Sequence, residues 1–336
     1  MYLVLVYPTR RAEGDGREVA VRIEPGERWD ALVARLDAEG LIASPRLFSI
    51  YGRLIGADEH LREGERILAR GSSPREVVQR IAVGFGQADV DVMIPEGFHR
   101  FDVAARLARR GVCDEDAFLA ATVDRSLLEE LAIPGPTAEG YLFPDTYRLR
   151  EGLDAADVVR RMVTNFRRRT ASLFAEQAAG LASLREGLGF GPHEVLVLAS
   201  IVEKEAAVHD EQPVIAGVFL NRLRDPSFTP HRLDADPTVS YGCLERPDDA
   251  PSCADFRGRI SRAMTHDAAN VYNTYRTERL PPGPISNPGL RALRAVLSPQ
   301  AHNYFFFVAR GGGRHVFSRT IGEHSRTTQH LRETVP

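Results

Sequence analysis

The run Val195-Leu-Val-Leu-Ala-Ser-Ile-Val202 constrains this chain more than any other feature. Eight residues with only Ser200 polar, opened by Pro192 and leading into Glu203-Lys-Glu205, read as a helix buried nearly all round. Such a helix needs other elements packed on every side, so it sits at the centre of a domain and not on its surface. A carboxyl group at its end is partly stripped of water, which disfavours the charged form and moves its pKa toward neutrality. Each residue advances about 100° round a helix, so Glu203 and Glu205 lie about 200° apart and cannot form one close pair. One faces a cleft and the other faces solvent or a salt bridge; the pattern does not say which.

The front of the chain is built differently. Residues 21–48 resemble residues 92–119 at an offset of 71, with Val21 on Val92, Ile23 on Ile94, Gly26 on Gly97, Arg35 on Arg106 and Gly40 on Gly111. Each copy reads as an alternating strand, a Pro/Gly turn and a helix stopped by glycine in the left-handed C′ conformation. Two copies are too few for a solenoid. Between them, the spacing predicts a strand and then a helix starting near Ser73, with Pro74 in its first turn. A turn-rich aromatic stretch, 137–152, reads as a hinge. A long helix from about Asp154 to Ala179 follows, with Val158, Met162, Phe166 and Leu173 on its packing face. The end, YFFFVARGGGRHVFS, reads as a hairpin turning at Gly311–Gly313.

The fold class expected is therefore α+β: small strand–helix modules followed by a mixed catalytic domain. The boundaries are 1–88 for the first module, 89–150 for the related module and hinge, and 151–336 for the catalytic domain. The 336 residues carry a formal charge of −3, which gives no field for non-specific nucleic-acid binding, so no nucleic-acid partner is expected. No stretch reaches the roughly 18–20 apolar residues that span a bilayer. The opening MYLVLVY reads either as a first strand or as the stub of a hydrophobic segment missing from this chain. Three cysteines are too few for a disulfide scaffold. Cys243 and Cys253 either pair or remain free thiols, and Cys113 is left over.

No zinc-binding His-Glu-x-x-His, nucleophile elbow or Walker loop is present, and the glycine spacing at Val83–Gly86 is weak. No cofactor and no metal is expected. His193, His231, His315 and His324 are scattered, as structural hydrogen-bonding groups are. Asp236 of Asp-Pro-Thr has the character of a turn former. Asn221, Asn273, Tyr272 and Tyr275 could supply the amides and aromatic faces that sugars favour. Each alone reads as structural; their concentration after a buried-helix glutamate points to a glycan site.

LASIVEKEA (198–206), IAGVFLNRL (215–223), DPTVSYG (236–242), YNTY (272–275), LPPGPISNPG (280–289) and HVFSRTIGEH (315–324), with IPEGF (94–98) and GYLFPDTY (140–147), together resemble the YceG-like family of endolytic murein transglycosylases. The resemblance runs from about residue 20 onward. It implies a LysM-like region and a catalytic domain that cuts nascent peptidoglycan glycan strands internally. It also implies anchoring in the inner membrane by an N-terminal helix absent from this chain, and cell-wall synthases as partners. Its catalytic glutamate falls on Glu203, with Glu205 as the alternative and candidate substrate contact. The other implied cleft residues are Asn221, Asp236, Thr238, Tyr272, Asn273 and Tyr275. Two positions depart from the family pattern: Asp234 replaces a favoured glutamine, and Arg279 a glycine. The activity implied is cleavage of the MurNAc-β-1,4-GlcNAc bond by one glutamate acting as acid and then base, leaving a 1,6-anhydro end. The competing readings are a two-carboxylate hydrolase, using Glu203 with Asp234 or Asp236, and a non-catalytic glycan-binding scaffold.

Overall fold

The computed structural model describes residues 6–11, 14–61, 63–82 and 89–334. The Val83–Gly86 spacing and most of the opening MYLVLVY lie outside them. The fold is α+β, with helices outnumbering strands and three two-stranded sheets among the described residues. The chain divides into two compact units, Met1–Val90 and Asp91–Pro336.

In the first unit β1 (Glu18–Ile23) pairs antiparallel with β2 (Gly64–Ala69), Glu18 opposite Ala69 and Ile23 opposite Gly64. Alternation sends Val21 and Ile23 into a core shared with α1 (Trp29–Ala38), α2 (Pro45–Leu54) and α3 (Pro74–Ile81). Trp29 stacks on Phe48 at 5.7 Å, and Gly52 lets that ring close in, since a Cβ there would lie 2.0 Å from it. Ser73 opens α3 with a capping box: it accepts from Glu76 N–H, while Glu76 accepts from Ser73 N–H.

The second unit repeats the strand–helix design with β3 (Asp89–Met93), α4 (Arg100–Arg109) and α5 (Glu115–Ala121), then adds α6 (Arg125–Glu130) and β4 (Thr146–Arg150), which pairs with β3. The 71-residue offset holds down to single hydrogen bonds. Arg35 donates to the Arg22 carbonyl and Arg106 to the Met93 carbonyl; Leu41 N–H closes on Leu36 and Val112 N–H on Leu107. Gly40 and Gly111 have φ of +66° and +68°, the left-handed stop that the pattern predicts.

The compact units divide between Val90 and Asp91, so the second copy belongs to the larger unit. The cause is polar stitching. Gly97 N–H donates to the Asn287 carbonyl at 2.9 Å, Asn287 N–H to the Phe98 carbonyl at 2.8 Å, and Leu142 N–H to Asn287 Oδ1 at 2.9 Å. The buried Arg100–Glu245 ion pair, at 2.8 Å, adds a long-range tie.

The long helix begins at its Asp154 cap as α7 (Ala155–Glu176), breaks at Gln177 and continues as α8 (Ala178–Leu188). Val158, Met162, Phe166 and Leu173 are all buried. The central helix is α9 (Pro192–Glu205), with Val195 through Val202 buried as its composition requires. It packs against α10 (Gln212–Arg224), α11 (Asp236–Glu245) and α13 (Leu290–Leu297), while α12 (Arg262–His266) lies beside α11. Ser200, the one polar residue of the run, fastens the proline-rich loop: its hydroxyl accepts from Ile285 N–H at 3.0 Å, and its carbonyl accepts from Ser286 Oγ at 3.1 Å. The terminal hairpin is β5 (Phe306–Gly311) and β6 (Arg314–Ser318), antiparallel, followed by α14 (Ile321–Thr334). Gly311, Gly312 and Gly313 all have positive φ.

Candidate active site

The last turn of α9 sends its two glutamates into different surroundings. Glu203 Oε2 accepts from Gly289 N–H at 3.2 Å, at the N-cap of α13, and from Gln212 Nε2 at 3.5 Å. The Glu96 side chain packs against Gly289, and a Cβ at Gly97 would stand 3.6 Å from Glu203 Cγ. Burial, then the charge of Glu96, push the Glu203 carboxyl above the usual range, while Gly289 N–H, His209 and Lys204 oppose the rise. Lys204 itself donates to the Gly97 carbonyl at 3.1 Å. The donors at this helix N-terminus offset part of the cost of burial, but the net push on the Glu203 carboxyl is upward.

Glu205 has the opposite setting. Burial first, then Asp236, push its carboxyl up to about 8, with Arg222 opposing. No hydrogen bond among the described residues holds that carboxyl. Arg222 is buried and donates to the carbonyls of Phe305, at 2.6 Å, and Leu233; its guanidinium lies 5.5 Å from the Phe306 ring. Asp236 is exposed at the first turn of α11, where Oδ1 accepts from Tyr275 Oη–H at 2.6 Å. Asp234 lies on the same approach with φ +50°; although the residue as a whole is exposed, partial loss of water around its carboxyl raises it, with Arg222 and Arg232 opposing. At neutral pH the arrangement gives a protonated Glu205 beside an open rim bearing Asp234, Asp236 and Tyr275.

The other predicted cleft residues are spent on architecture. Asn273 is fully buried, and its amide donates to the carbonyls of Met264, Thr265 and Asp267. Thr238 is also fully buried; its hydroxyl bonds the Ala235 carbonyl at 2.6 Å and Thr274 Oγ1 at 2.9 Å. Tyr272 is buried against Tyr241. Asn221 pins the approach to the hairpin through the carbonyls of His302 and Tyr304. Thr238, Tyr272 and Asn273 are thus buried in the segments that carry Asp236 and Tyr275, while Asp236 itself is exposed. Cys243 and Cys253 form a disulfide that fastens α11 to the turn at Pro251–Asp255. Three of the four histidines bond structurally: His193 to Tyr141, His231 to the Arg222 carbonyl and His315 to Glu211.

Sequence reasoning misses Glu96, Gln212 and a buried polar network. Glu139 is fully buried, accepts from Arg100 N–H at 2.8 Å and from Asn287 Nδ2 at 2.7 Å, and burial raises its carboxyl to about 8. Glu96 sits within IPEGF, so a motif marks it; nothing in the local pattern of Gln212 or Glu139 does. Among the described residues no group of three or more His, Cys, Asp or Glu is arranged to hold a metal ion, and no helix is long and apolar enough to cross a membrane.

Fold and site define an α+β protein with two carboxyl groups raised by burial on the last turn of its central helix. The chain belongs to the YceG-like family, whose model matches residues 21–330. It is similar to the endolytic murein transglycosylase of Bacillus subtilis, 25% identical over 93% of this chain and 84% of that protein. It is also similar to that of Streptococcus pneumoniae D39, 24% identical over 87% of this chain, where it spans about half (54%) of the relative's length. Among solved structures, a yceG-like protein of Listeria monocytogenes matches with a TM-score of 0.57 and 26% identity, covering 93% of this chain and all of that one.

Proposed function

We propose that this chain is a lytic transglycosylase that cleaves murein glycan strands internally, with Glu205 as its acid and base. The observation that carries the assignment is the contrast across the last turn of α9. Burial raises both carboxyls, but Glu203 is held by two donors, Gly289 N–H and Gln212 Nε2, whereas Glu205 has no donor among the described residues, is pushed up to about 8 and is set beside the open Asp236–Tyr275 pair. The sequence alone leans to Glu203; the absence of donors around Glu205 and its neighbourhood with Asp236 support the reading with Glu205 instead.

In the proposed step Glu205 gives its proton to the glycosidic oxygen between MurNAc and GlcNAc, and the C1–oxygen bond breaks. The carboxylate so formed takes the proton of the C6 hydroxyl of the same MurNAc, whose oxygen closes on C1 and leaves a 1,6-anhydro end. One group acts twice, so a pKa near the working pH suits it. Asp236, fixed by the Tyr275 hydroxyl, offsets the positive charge developing at C1. Cleavage of purified strands with products weighed tests this. Anhydro ends are expected, with Glu205→Gln lowering the rate by about 10²–10⁴-fold and Glu203→Gln by less than about tenfold. The reverse order of the two variants overturns the assignment.

A second reading draws on the closeness of Asp236 to Glu205: a hydrolase in which both carboxyls act. Its products would be reducing ends that have gained one water. Wild-type protein that binds strands and cuts none would instead be a scaffold. An extracytoplasmic location, anchoring to the inner membrane and contact with cell-wall synthases belong to the same proposal; the Cys243–Cys253 bridge supports an oxidising compartment.

A further inference from the structure

A cavity of about 800 Å³ lies on the Glu203 side of α9, lined by residues that include Gln177, His209, Asp210, Gln212, Arg291 and Arg294. Gln212 and His209 both act on Glu203, so the cavity begins where the last turn of α9 ends. Two features make it a receptor for a particular chemistry. Gln212 is 1% exposed, its Nε2 is directed to Glu203, and its Oε1 has no hydrogen-bond partner. A buried acceptor left unpaired keeps its desolvation cost without a compensating bond, so it calls for an N–H or O–H donor from outside. The rim is cationic: Arg291 and Arg294 face one acid of the lining, Asp210. Arg294 meets Glu176 at 3.1 Å, but both side chains are about half exposed, and such a pair is held weakly enough to exchange.

We propose that this cavity takes the peptide stem of the glycan strand, an amide N–H donating to Gln212 Oε1 and a stem carboxylate meeting Arg291 and Arg294. The inference deepens the transglycosylase reading and rests on it for the identity of the strand. Electrostatics sets the direction. The sugar backbone itself is uncharged, and its stems carry the carboxylates. On the Glu205 side the exposed charges are Asp234 and Asp236, since Arg222 is buried and spent on backbone carbonyls, whereas on the opposite flank of α9 the exposed Arg291 and Arg294 can bind carboxylates bidentately. A strand lying across the last turn of α9 therefore keeps its sugars at Glu205 and turns its stems toward α13.

The test is binding to the full chain, measured calorimetrically with two soluble probes: a GlcNAc–MurNAc oligomer bearing tetrapeptide stems with free carboxyl ends, and the same oligomer stripped by an amidase and then converted to the methylamide at each freed lactyl carboxyl, so that it carries no charge. Wild type should bind the stemmed probe at least about tenfold more tightly, roughly the worth of one charge-assisted contact. In R291E/R294E that preference should fall to within about twofold, with affinity for the stripped probe unchanged; R291Q/R294Q, which avoids new charge, should give an intermediate loss. Equal wild-type affinity for the two probes overturns the proposal, as does a preference that survives in both variants. Strand cleavage is scored separately. Binding governed by the two arginines without any cleavage would sink the enzyme assignment and leave the cavity's specificity standing; cleavage without stem preference would do the opposite.

Discussion

Replacing Glu139 by glutamine should flatten the pH dependence of stability of the larger unit. Glu139 has no exposed surface, and both of its oxygens are engaged, by Arg100 N–H and Asn287 Nδ2. Burial raises its carboxyl from 4.5 to about 8, so the folded chain retains a proton that the unfolded chain has released. Stability from this proton is therefore fully present below about pH 4.5 and is lost as pH rises through about 8. Proton linkage with those two values gives a loss of about 4 kcal/mol between pH 5 and pH 9. Glutamine cannot ionise, so that loss should vanish in Glu139→Gln. The variant should start about 1–3 kcal/mol less stable at pH 5, because its amide nitrogen faces one of two donors. Glu205, also raised to about 8, titrates in both proteins and cancels from the comparison. The single tryptophan, Trp29, belongs to the first unit, so urea unfolding at pH 5, 7 and 9 should be followed by near-ultraviolet tyrosine dichroism or by hydrogen exchange of α9 amides. A wild-type loss between pH 5 and 9 that Glu139→Gln reproduces to within about 1 kcal/mol would refute the reasoning.

Other perturbations probe the site and its frame. Tyr275→Phe removes the 2.6 Å hydrogen bond to Asp236 and should slow strand cleavage by about tenfold, with the circular dichroism spectrum unchanged. Opening the Cys243–Cys253 bridge, whose cysteines are 10 residues apart, by the double serine variant should cost about 3 kcal/mol in urea unfolding of the second unit; no loss would mean that the bridge adds nothing there. Gly242→Ala would bring a Cβ to 1.9 Å from the buried Asn270 Oδ1, and its midpoint should fall by an amount equivalent to about 2–4 kcal/mol.

What was legible in the sequence was what periodicity encodes. The buried character of α9, the glycine stops at Gly40 and Gly111, the Ser73 start and the terminal hairpin all follow from one-dimensional patterns. The opposed directions of Glu203 and Glu205 follow from the pitch of a helix. Which of the two is desolvated without donors does not, because the answer depends on Gly289 and Gln212 meeting one of them from other elements. The same limit explains Asn273 and Thr238. A side chain that can bind sugar can equally bind three backbone carbonyls, and only the tertiary placing of the C-terminal end of α12, at residues 264–267, decides between the two uses. Arg279 is a further case: where the family pattern has glycine, arginine takes φ +64°, its N–H held by the His231 carbonyl at 2.8 Å.

The duplicated front segment separates two kinds of information. Positions that hold the shared shape agree between the copies, as in Gly26 and Gly97, Arg35 and Arg106, and Gly40 and Gly111. Positions where the second copy meets α9 and α11 differ: Pro25 stands opposite Glu96, and Trp29 opposite Arg100. One ancestral unit could thus keep its own geometry while a handful of side chains were rewritten to serve a neighbour.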